Sequence, residues 1–369
     1  MHRNQYLHQG DGWVHRCLAK INKKDIEIME KRWTIRPQGS NWGEFGEDDQ
    51  CGRMNLITPQ IRLQAFQEVI TGDVFCLSLP LDKPGGQVLN AHRCAPIFKP
   101  VTNAQGHKIF NFALNELDQR LTDVSSDEAV LLYSQYSTQW DSFSHKGSWF
   151  DVDGEGQAKK VFYNGWSIVD QEGHGEQGEL GAKALSIAKM AEKGVQGRGV
   201  MIDLHRHFGE KRVHVNFEML LSIMAQEKIL VQEGDMVCFH TGLDDLIMQS
   251  PSSGPNETIK TACAVLDGED ERLLNWITQS RLSAIVSDNL AIEASSTLGI
   301  RHGLGERGAV LPLHEHCLFK LGVHLGELWY LSELSSWLHR NQRYRFLLTA
   351  PPLRLPGAAG SPVTPVATV

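Results

Sequence analysis

The sequence predicts an α/β fold, because segments with helical periodicity alternate with short apolar strands through its second half. A chain of 369 residues that is 41% hydrophobic suits one large or two ordinary globular domains. The predicted helices are 180–193, 217–225, 271–280 and 331–339, and the predicted strands between them are 199–204, 236–239, 282–286 and 345–349.

The first half has fewer regular signals. Residues 1–35 are polar and charged, and we interpret them as an N-terminal extension of a domain that spans 36–369. The Gly- and acid-rich segment 42–58 ends at Thr58-Pro59, which is a typical helix start. Short apolar runs predict two further strands, at 75–79 and 129–133.

The tail 351–365 is rich in Pro and Gly and is therefore predicted to lack regular structure. Its apolar residues Leu353, Leu355 and Val363 favour an ordered loop over a flexible end. Its small residues would let backbone approach a ligand closely.

Composition excludes several classes of protein. No run of eighteen apolar residues occurs, so no membrane span is expected, and the N-terminus lacks the pattern of a secretory signal. The net charge of −8 argues against a nucleic-acid partner and favours a soluble cytoplasmic protein. The seven cysteines are scattered without a C-x-x-C pair, which indicates neither a disulfide framework nor a zinc knuckle.

The segment 135–145 reads Q-Y-S-T-Q-W-D-S-F-S-H and carries the densest set of chemically useful side chains. In an extended strand Gln135, Gln139, Asp141 and His145 would all face one side. Asp and His are good ligands for a divalent ion, and a Gln oxygen is a weaker one. The alternative is a polar loop beside a buried Trp. The aromatic residues between the polar ones are Tyr136, Trp140 and Phe143.

A second group of candidate ligands lies in segment 313–327. His314 and His316 would share a face if this segment is extended, and Glu327 could return to them after a turn. Each is otherwise an ordinary solvated residue. His240 follows a predicted strand, where side chains often line α/β sites, although a simple turn at this position is the alternative.

These motifs resemble the cyclase family of metal-dependent hydrolases, the family of bacterial kynurenine formamidase and isatin hydrolase. The family's mark is H-x-G-T-H-x-D-x-x-x-H, which segment 135–145 matches in spacing. The resemblance covers about residues 40 to 369. Besides the mark, the segments that carry it are 42–58, 197–204, 234–242, 287–294, 313–327 and 352–367.

The resemblance implies a single domain with a central mixed, barrel-like β-sheet surrounded by helices, of the swivelling β/β/α type. It implies one divalent ion, Mn²⁺ or Zn²⁺, and a general acid/base at His145. The implied ligands are Gln135, Gln139, Asp141, His314 and Glu327, with His316 as a fallback for His314.

This chain departs from the family's mark because both of its first two His are Gln, which resembles a longer subfamily. Amide oxygens are weaker donors than imidazole, so the change should weaken zinc binding more than manganese binding. We therefore expect at most one ion, held by Asp141, His314 and Glu327.

The resemblance also implies hydrolysis of a C–N bond in a small amide, formamide or cyclic imide, as in an arylformamidase, by a homodimer or homotetramer. Trp140, Phe143, Tyr163 and His240 are predicted to bind substrate, with ordinary core packing as the alternative for the rings. Two other functions stay open. One is a metal-free binding protein, and the other is a metal-independent cyclase or dehydratase in which His145 and Asp141 act alone.

Overall fold

The structure is a computed structural model that describes residues 31–169, 181–295 and 308–369. Most of the predicted extension 1–35 lies outside the described residues. The strands are β1 (Val74–Cys76), β2 (Ile97–Pro100), β3 (Phe112–Ala113), β4 (Val124–Ser125), β5 (Glu128–Leu131), β6 (Gln139–Asp141), β7 (Ser148–Phe150), β8 (Lys159–Val161), β9 (Gln196–Asp203), β10 (His214–Val215), β11 (Met236–His240), β12 (Val265–Leu266), β13 (Ala284–Ser287), β14 (His324–Glu327), β15 (Arg345–Thr349), β16 (Gly360–Pro362) and β17 (Val366–Thr368).

The helices surround the sheet and are mostly short. None within the described residues is both long and apolar enough to cross a membrane. They are α1 (Pro59–Phe66), α2 (Ile187–Glu192), α3 (His205–Phe208), α4 (Phe217–Glu227), α5 (Leu243–Gln249), α6 (Glu271–Ser280), α7 (Pro312–His314), which continues into a π-helical turn (Glu315–Leu321), and α8 (Ser332–Arg340). Short 3-10 turns occur at Gly52–Leu56, Leu114–Glu116, Tyr163–Gly165 and Glu257–Thr261.

The centre of the fold is one nine-stranded sheet with the order β1-β17-β15-β9-β11-β13-β14-β6-β16. Its middle strands β9, β11, β13 and β14 are parallel, and the flanking strands are antiparallel. The sheet curls into a half-barrel flanked by helices, which confirms the predicted α/β fold with a mixed, barrel-like sheet.

The parallel strands are apolar on both faces, because helices and loops cover the sheet from both sides. Successive side chains of a strand point to opposite faces. Val200 and Ile202 of β9 therefore pack in one core cluster, whereas Met201 between them packs in a second cluster on the other face. Phe239 and Cys238 of β11 divide in the same way.

Two predictions about secondary structure are wrong. The helix predicted over 180–193 begins only at Ile187, and Leu185 has a positive φ of 61°. Tertiary contacts override the helical periodicity, since the Leu185 N–H donates to Gln50 and Gly181 lies against Gly357. The position of Leu180 lies outside the described residues.

The Pro/Gly-rich tail is not irregular throughout. It contributes β16 at one edge of the sheet and β17 between β1 and β15. Pro362 is tolerated because β16 is an edge strand, where one row of N–H groups has no partner strand. Strand β17 contains Val366 and Thr368, whose β-branched side chains suit a strand.

Residues 91–135 form an arm that carries two small ribbons, β2 with β5 and β3 with β4. All residues of β2 and β5 are exposed. Phe112 is the one buried residue of this whole arm. The arm therefore has almost no core of its own within a single chain.

Candidate metal centre

Strands β6 and β14 bring three polar side chains to one place. They pair antiparallel, with Glu327 opposite Gln139 and Leu325 opposite Asp141. Directly opposed residues of two strands point to the same face, and so do residues two apart in one strand. Gln139, Asp141 and Glu327 therefore share a face, and all three are buried.

His314 reaches the same place from the end of α7. Its Nε2 lies 3.2 Å from Glu327 Oε1 and 3.8 Å from Asp141 Oδ2. His316 does not reach it, because this segment is helical rather than extended and residues two apart then point to different sides. His316 Nε2 instead contacts Thr278 Oγ1 at 2.9 Å.

Glu293 holds His314 from behind and was not predicted from the sequence. Its carboxylate accepts the backbone N–H groups of Leu313 and His314, both at 2.8 Å, and also His314 Nδ1 at 2.9 Å. Nδ1 therefore carries a hydrogen, and Nε2 is the ring nitrogen that faces the carboxylates. Binding of a cation would displace any hydrogen on Nε2 and use its lone pair. Gly268 leaves room for this, since a Cβ there would lie 2.0 Å from Glu293 Oε2.

Opposing effects act on the pKa values of His314 and Glu327. Burial alone would lower the pKa of His314, but the hydrogen bonds and charges of Glu293 and Glu327 raise it to about 10. Burial acts to raise the pKa of Glu327, and the hydrogen bond and charge of His314 outweigh it and hold that pKa below its usual value. The space between His314 and the carboxylates therefore favours a positive charge.

His145 lies just beyond β6, where its side chain is 19% exposed and its Nε2 is 3.9 Å from Asp141 Oδ2. Burial lowers the pKa of His145, although the charge of Asp141 acts in the opposite direction. Gln135 Nε2 is 2.5 Å from Asp141 Oδ1 and 3.1 Å from His145 Nδ1. Gln135, Asp141 and His145 thus converge, although only Gln139–Asp141 is a strand.

The two Gln side chains present nitrogen, and not the expected oxygen, to the carboxylates. Gln139 Nε2 lies 3.2 Å from both Asp141 Oδ1 and Glu327 Oε2. An ionised carboxylate can only accept hydrogen bonds, so the amide must turn its N–H group towards it. The Gln135 oxygen is instead near Arg93, whose guanidinium also donates to the Gln135 backbone carbonyl at 2.5 Å.

The donor set fits one divalent cation. Asp141 Oδ2 and Gln139 Oε1 are buried without any hydrogen-bond partner. Asp141 Oδ2, His145 and His314 can offer ligand atoms within 4.8 Å of one another. In a tetrahedral shell with metal–ligand bonds near 2.1 Å, ligand atoms are ~3.4 Å apart. His314 Nε2 lies at similar separations from Glu327 and Asp141, 3.2 and 3.8 Å.

A second cluster, formed by His240, Asp244 and Asp288, has similar proximity but no free ligand atom. Asp288 accepts from the N–H groups of three residues, and Asp244 accepts from Ser332 and two backbone N–H groups. Both ring nitrogens of His240 are also engaged, with Asp203 and Ser332 at 3.0 Å. His240, which was predicted to bind substrate, is instead engaged inside this buried cluster and does not reach the candidate metal centre.

The rings predicted to bind substrate belong to the core. Trp140 lies between Gln139 and Asp141 in β6, so it points to the opposite face, where it packs on Trp329 at 5.0 Å between centroids. Phe143 stacks on His324 at 4.0 Å and contacts Tyr163 at 4.9 Å. Trp140, Phe143 and Tyr163 have no exposed surface, so core packing is the correct alternative.

Comparisons with known proteins identify the fold and the family of this chain. A crystal structure of a novel cyclase is 28% identical over 89% of this chain and 97% of its own, with a TM-score of 0.67. Isatin hydrolase A from Labrenzia aggregata is 12% identical over 80% of this chain and 93% of its own, with a TM-score of 0.50, and shares the fold. No curated protein matches. The Cyclase family profile matches residues 75–294, which is more than half of the chain, and the chain belongs to the Cyclase family.

Proposed function

We propose that this protein is a metal-dependent hydrolase that cleaves a C–N bond of a small amide, formamide or cyclic imide. The observation that carries the proposal is the buried, unpartnered Asp141 Oδ2, which faces Nε2 of both His145 and His314. A polar atom buried without a partner is costly, so it indicates a missing ligand. The likeness to a protein named isatin hydrolase favours a hydrolase among the family's activities.

Asp141, His314 and Glu327 would hold one Mn²⁺ or Zn²⁺ ion, and Gln139 could add its free oxygen. When bound, such an ion lowers the pKa of water towards neutrality and polarises an acyl oxygen. Glu293 keeps the Nε2 lone pair of His314 directed at the site. The carboxylates of Asp141 and Glu327 are buried, and the partly exposed ring of His145 lies beside Asp141.

His145 is the residue we assign to proton transfer. It is the most exposed ring at the centre, and its Nε2 faces the cation ligands. Because burial lowers its pKa, the ring is neutral at pH 7 and has a lone pair available for a proton. It would take a proton from water at Nε2 and return it to the leaving nitrogen.

A cation-free protein is the second candidate, and a specific observation favours it. The N–H groups of Gln135 and Gln139, together with His314, already offset the charge of Asp141 and Glu327. On this reading the protein binds a small molecule, or acts as a metal-independent cyclase or dehydratase through His145 and Asp141.

Metal analysis of protein purified without chelator, combined with turnover of formamides, lactams and imides, separates these functions. We expect one equivalent of Mn²⁺ or Zn²⁺ and turnover that a chelator abolishes and added ion restores. His314→Gln should lose the ion, whereas the matched variant His316→Gln should keep it. Absence of any ion would support the binding protein, and turnover that resists chelation would support the metal-independent enzyme.

We also propose that the chain assembles as a homodimer or homotetramer. The exposed ribbon of β2 and β5 supports this, because an isolated two-stranded ribbon is at best marginally stable in water. The tail and the 42–58 segment contribute to the fold of one chain, since Trp42 is buried and β17 lies between two other strands of the sheet.

A further inference from the structure

Gln135 stands where the family's mark has a histidine, and its carboxamide is held from two sides. Arg93 carries only hydrogen-bond donors, so the amide oxygen turns towards it, at 3.5 Å from Nη2. The amide nitrogen then faces Asp141 Oδ1 at 2.5 Å. Both contacts require the same orientation, which Arg93 reinforces by donating to the Gln135 backbone carbonyl.

This orientation determines which nitrogen of His145 carries the hydrogen. Gln135 Nε2 lies 3.1 Å from His145 Nδ1 and can only donate to it. In the neutral ring Nδ1 is then the acceptor, and the hydrogen is on Nε2. Nε2, the atom that faces Asp141, is therefore a donor in this arrangement and cannot accept a proton from water.

We propose that Gln135 is a positioning residue that switches His145 between two tautomers by a half-turn of its carboxamide. With nitrogen inward, it holds the ring hydrogen on Nε2. With oxygen inward, it accepts a hydrogen from Nδ1, and the lone pair of Nε2 is then free. This position gives up the long contact of the amide oxygen with Arg93, which keeps its hydrogen bond to the Gln135 backbone carbonyl. The ring loses one hydrogen at Nε2 and gains one at Nδ1 through water, so its charge does not change. This inference rests on the proposed function.

The cation decides which of the two carboxamide positions is favoured. Nitrogen inward is favoured while Asp141 lacks a cation, because the Gln135 N–H then offsets the charge of its carboxylate. A divalent ion at Asp141 takes over that role, and an amide oxygen is a ligand that such an ion accepts. The ion therefore favours the oxygen-inward position, so that His145 becomes a base only when the ion is in place.

The test is the tautomer of His145, read by long-range ¹H–¹⁵N NMR of protein carrying ring-¹⁵N histidine. Spectra are recorded at one neutral pH, first after dialysis against chelator and then with one equivalent of Zn²⁺, and the His145 signals are identified by their loss in His145→Asn. We expect Nδ1 at the shift of an unprotonated nitrogen without the ion, and Nε2 at that shift with it.

Gln135→Leu removes the carboxamide and should give a mixture of His145 tautomers with and without the ion. The control is Gln87→Leu, which removes an exposed carboxamide and should behave as wild type. If Gln135→Leu does not fold, Arg93→Gln provides the second variant and should give the mixture without the ion. A hydrogen on Nδ1 in cation-free wild type, or an unchanged tautomer in these variants, overturns the proposal. Failure to bind Zn²⁺ overturns the half-turn, and failure to bind Mn²⁺ as well overturns the proposed function. The cation-free spectra still decide whether Gln135 positions His145.

Discussion

Glu293 accepts two hydrogen bonds from His314, one from its backbone N–H at 2.8 Å and one from its ring Nδ1 at 2.9 Å. The two bonds fix both the helix end and the ring, so His314 cannot rotate away from Glu327 without breaking a buried bond. Carboxylates behind metal-binding histidines have this effect in many metal sites. Glu293 thus supports the proposed centre without touching the proposed ion.

We expect Glu293→Gln to weaken cation binding by about 10- to 100-fold, because its NH₂ group replaces one of the two carboxylate oxygens, faces at least one of the three N–H donors and loosens the hold on His314. The measurement is a Zn²⁺ titration by calorimetry. The matched control is Glu315→Gln, whose carboxylate accepts from Ser148 on another side of the helix. Equal affinities in both variants would contradict the role given to Glu293.

Asp141→Asn should lose both the ion and turnover, since it replaces the charged ligand at the middle of the set by a neutral amide. The measurement is metal content beside the rate of hydrolysis. Asn keeps the size of Asp and can still accept from Gln135, so the fold should persist in circular dichroism. Full metal content with full activity in this variant would mean that the active site lies elsewhere.

His145→Ala separates proton transfer from metal binding. We expect metal content to stay unchanged and kcat to fall by about 10²- to 10⁴-fold, which is the usual contribution of a general acid or base. Ser144→Ala, the neighbouring position, serves as the control. Loss of the ion in His145→Ala would instead make His145 a ligand.

The pH dependence of stability should show that His240 is protonated in the folded chain. Burial alone would lower its pKa, but the hydrogen bond to Asp203 and the charges of Asp288 and Asp244 raise it to about 9. Protonated His240 therefore stabilises the fold. The contribution is fully present below the pKa of histidine in the unfolded chain, ~6.5, and is lost as pH rises through about 9. Its size is on the order of 3 kcal/mol.

The measurement is urea unfolding of wild type and His240→Asn across this range. The stability difference between them should shrink as pH rises from about 6.5 to about 9, whereas exposed His214→Asn should show no such trend. Asp244, whose pKa burial and Asp288 raise to about 6, destabilises the fold as pH rises towards that value and so acts in a lower window. A constant difference would show that His240 is uncharged in the fold.

Regular local signals were the predictable part of this molecule. The helix Glu271–Ser280 and the strand Arg345–Thr349 have the predicted bounds, because their apolar spacing agrees with the faces that they bury. The convergence of Gln135, Asp141 and His145 was also predictable from spacing, although a turn and not a continuous strand produces it.

Contacts between distant segments were not predictable from one sequence. His314 and His316 were expected on one face because nothing local showed that 312–321 is helical. The role of Glu293 depends on how its loop lies against α7, although a carboxylate just beyond a strand end could have suggested a site. Trp140 is different: strand alternation alone places it opposite to Asp141, so its assignment to substrate binding was avoidable.

The exposed arm leads to a prediction about assembly. Phe98 and Phe110 are 71% and 63% exposed and border an apolar cavity of about 430 Å³ with Pro100. An exposed apolar patch of this kind marks a protein–protein contact, and each Phe buried on assembly should contribute about 2 kcal/mol.

Replacing both Phe98 and Phe110 by Ser should therefore weaken association at least tenfold and shift a dimer or tetramer towards monomer. Sedimentation velocity measures this, with Leu63→Ser, 66% exposed on α1, as the control. A wild-type chain that sediments as a monomer at all concentrations would contradict the assembly, since the arm would then be stable with both faces in water.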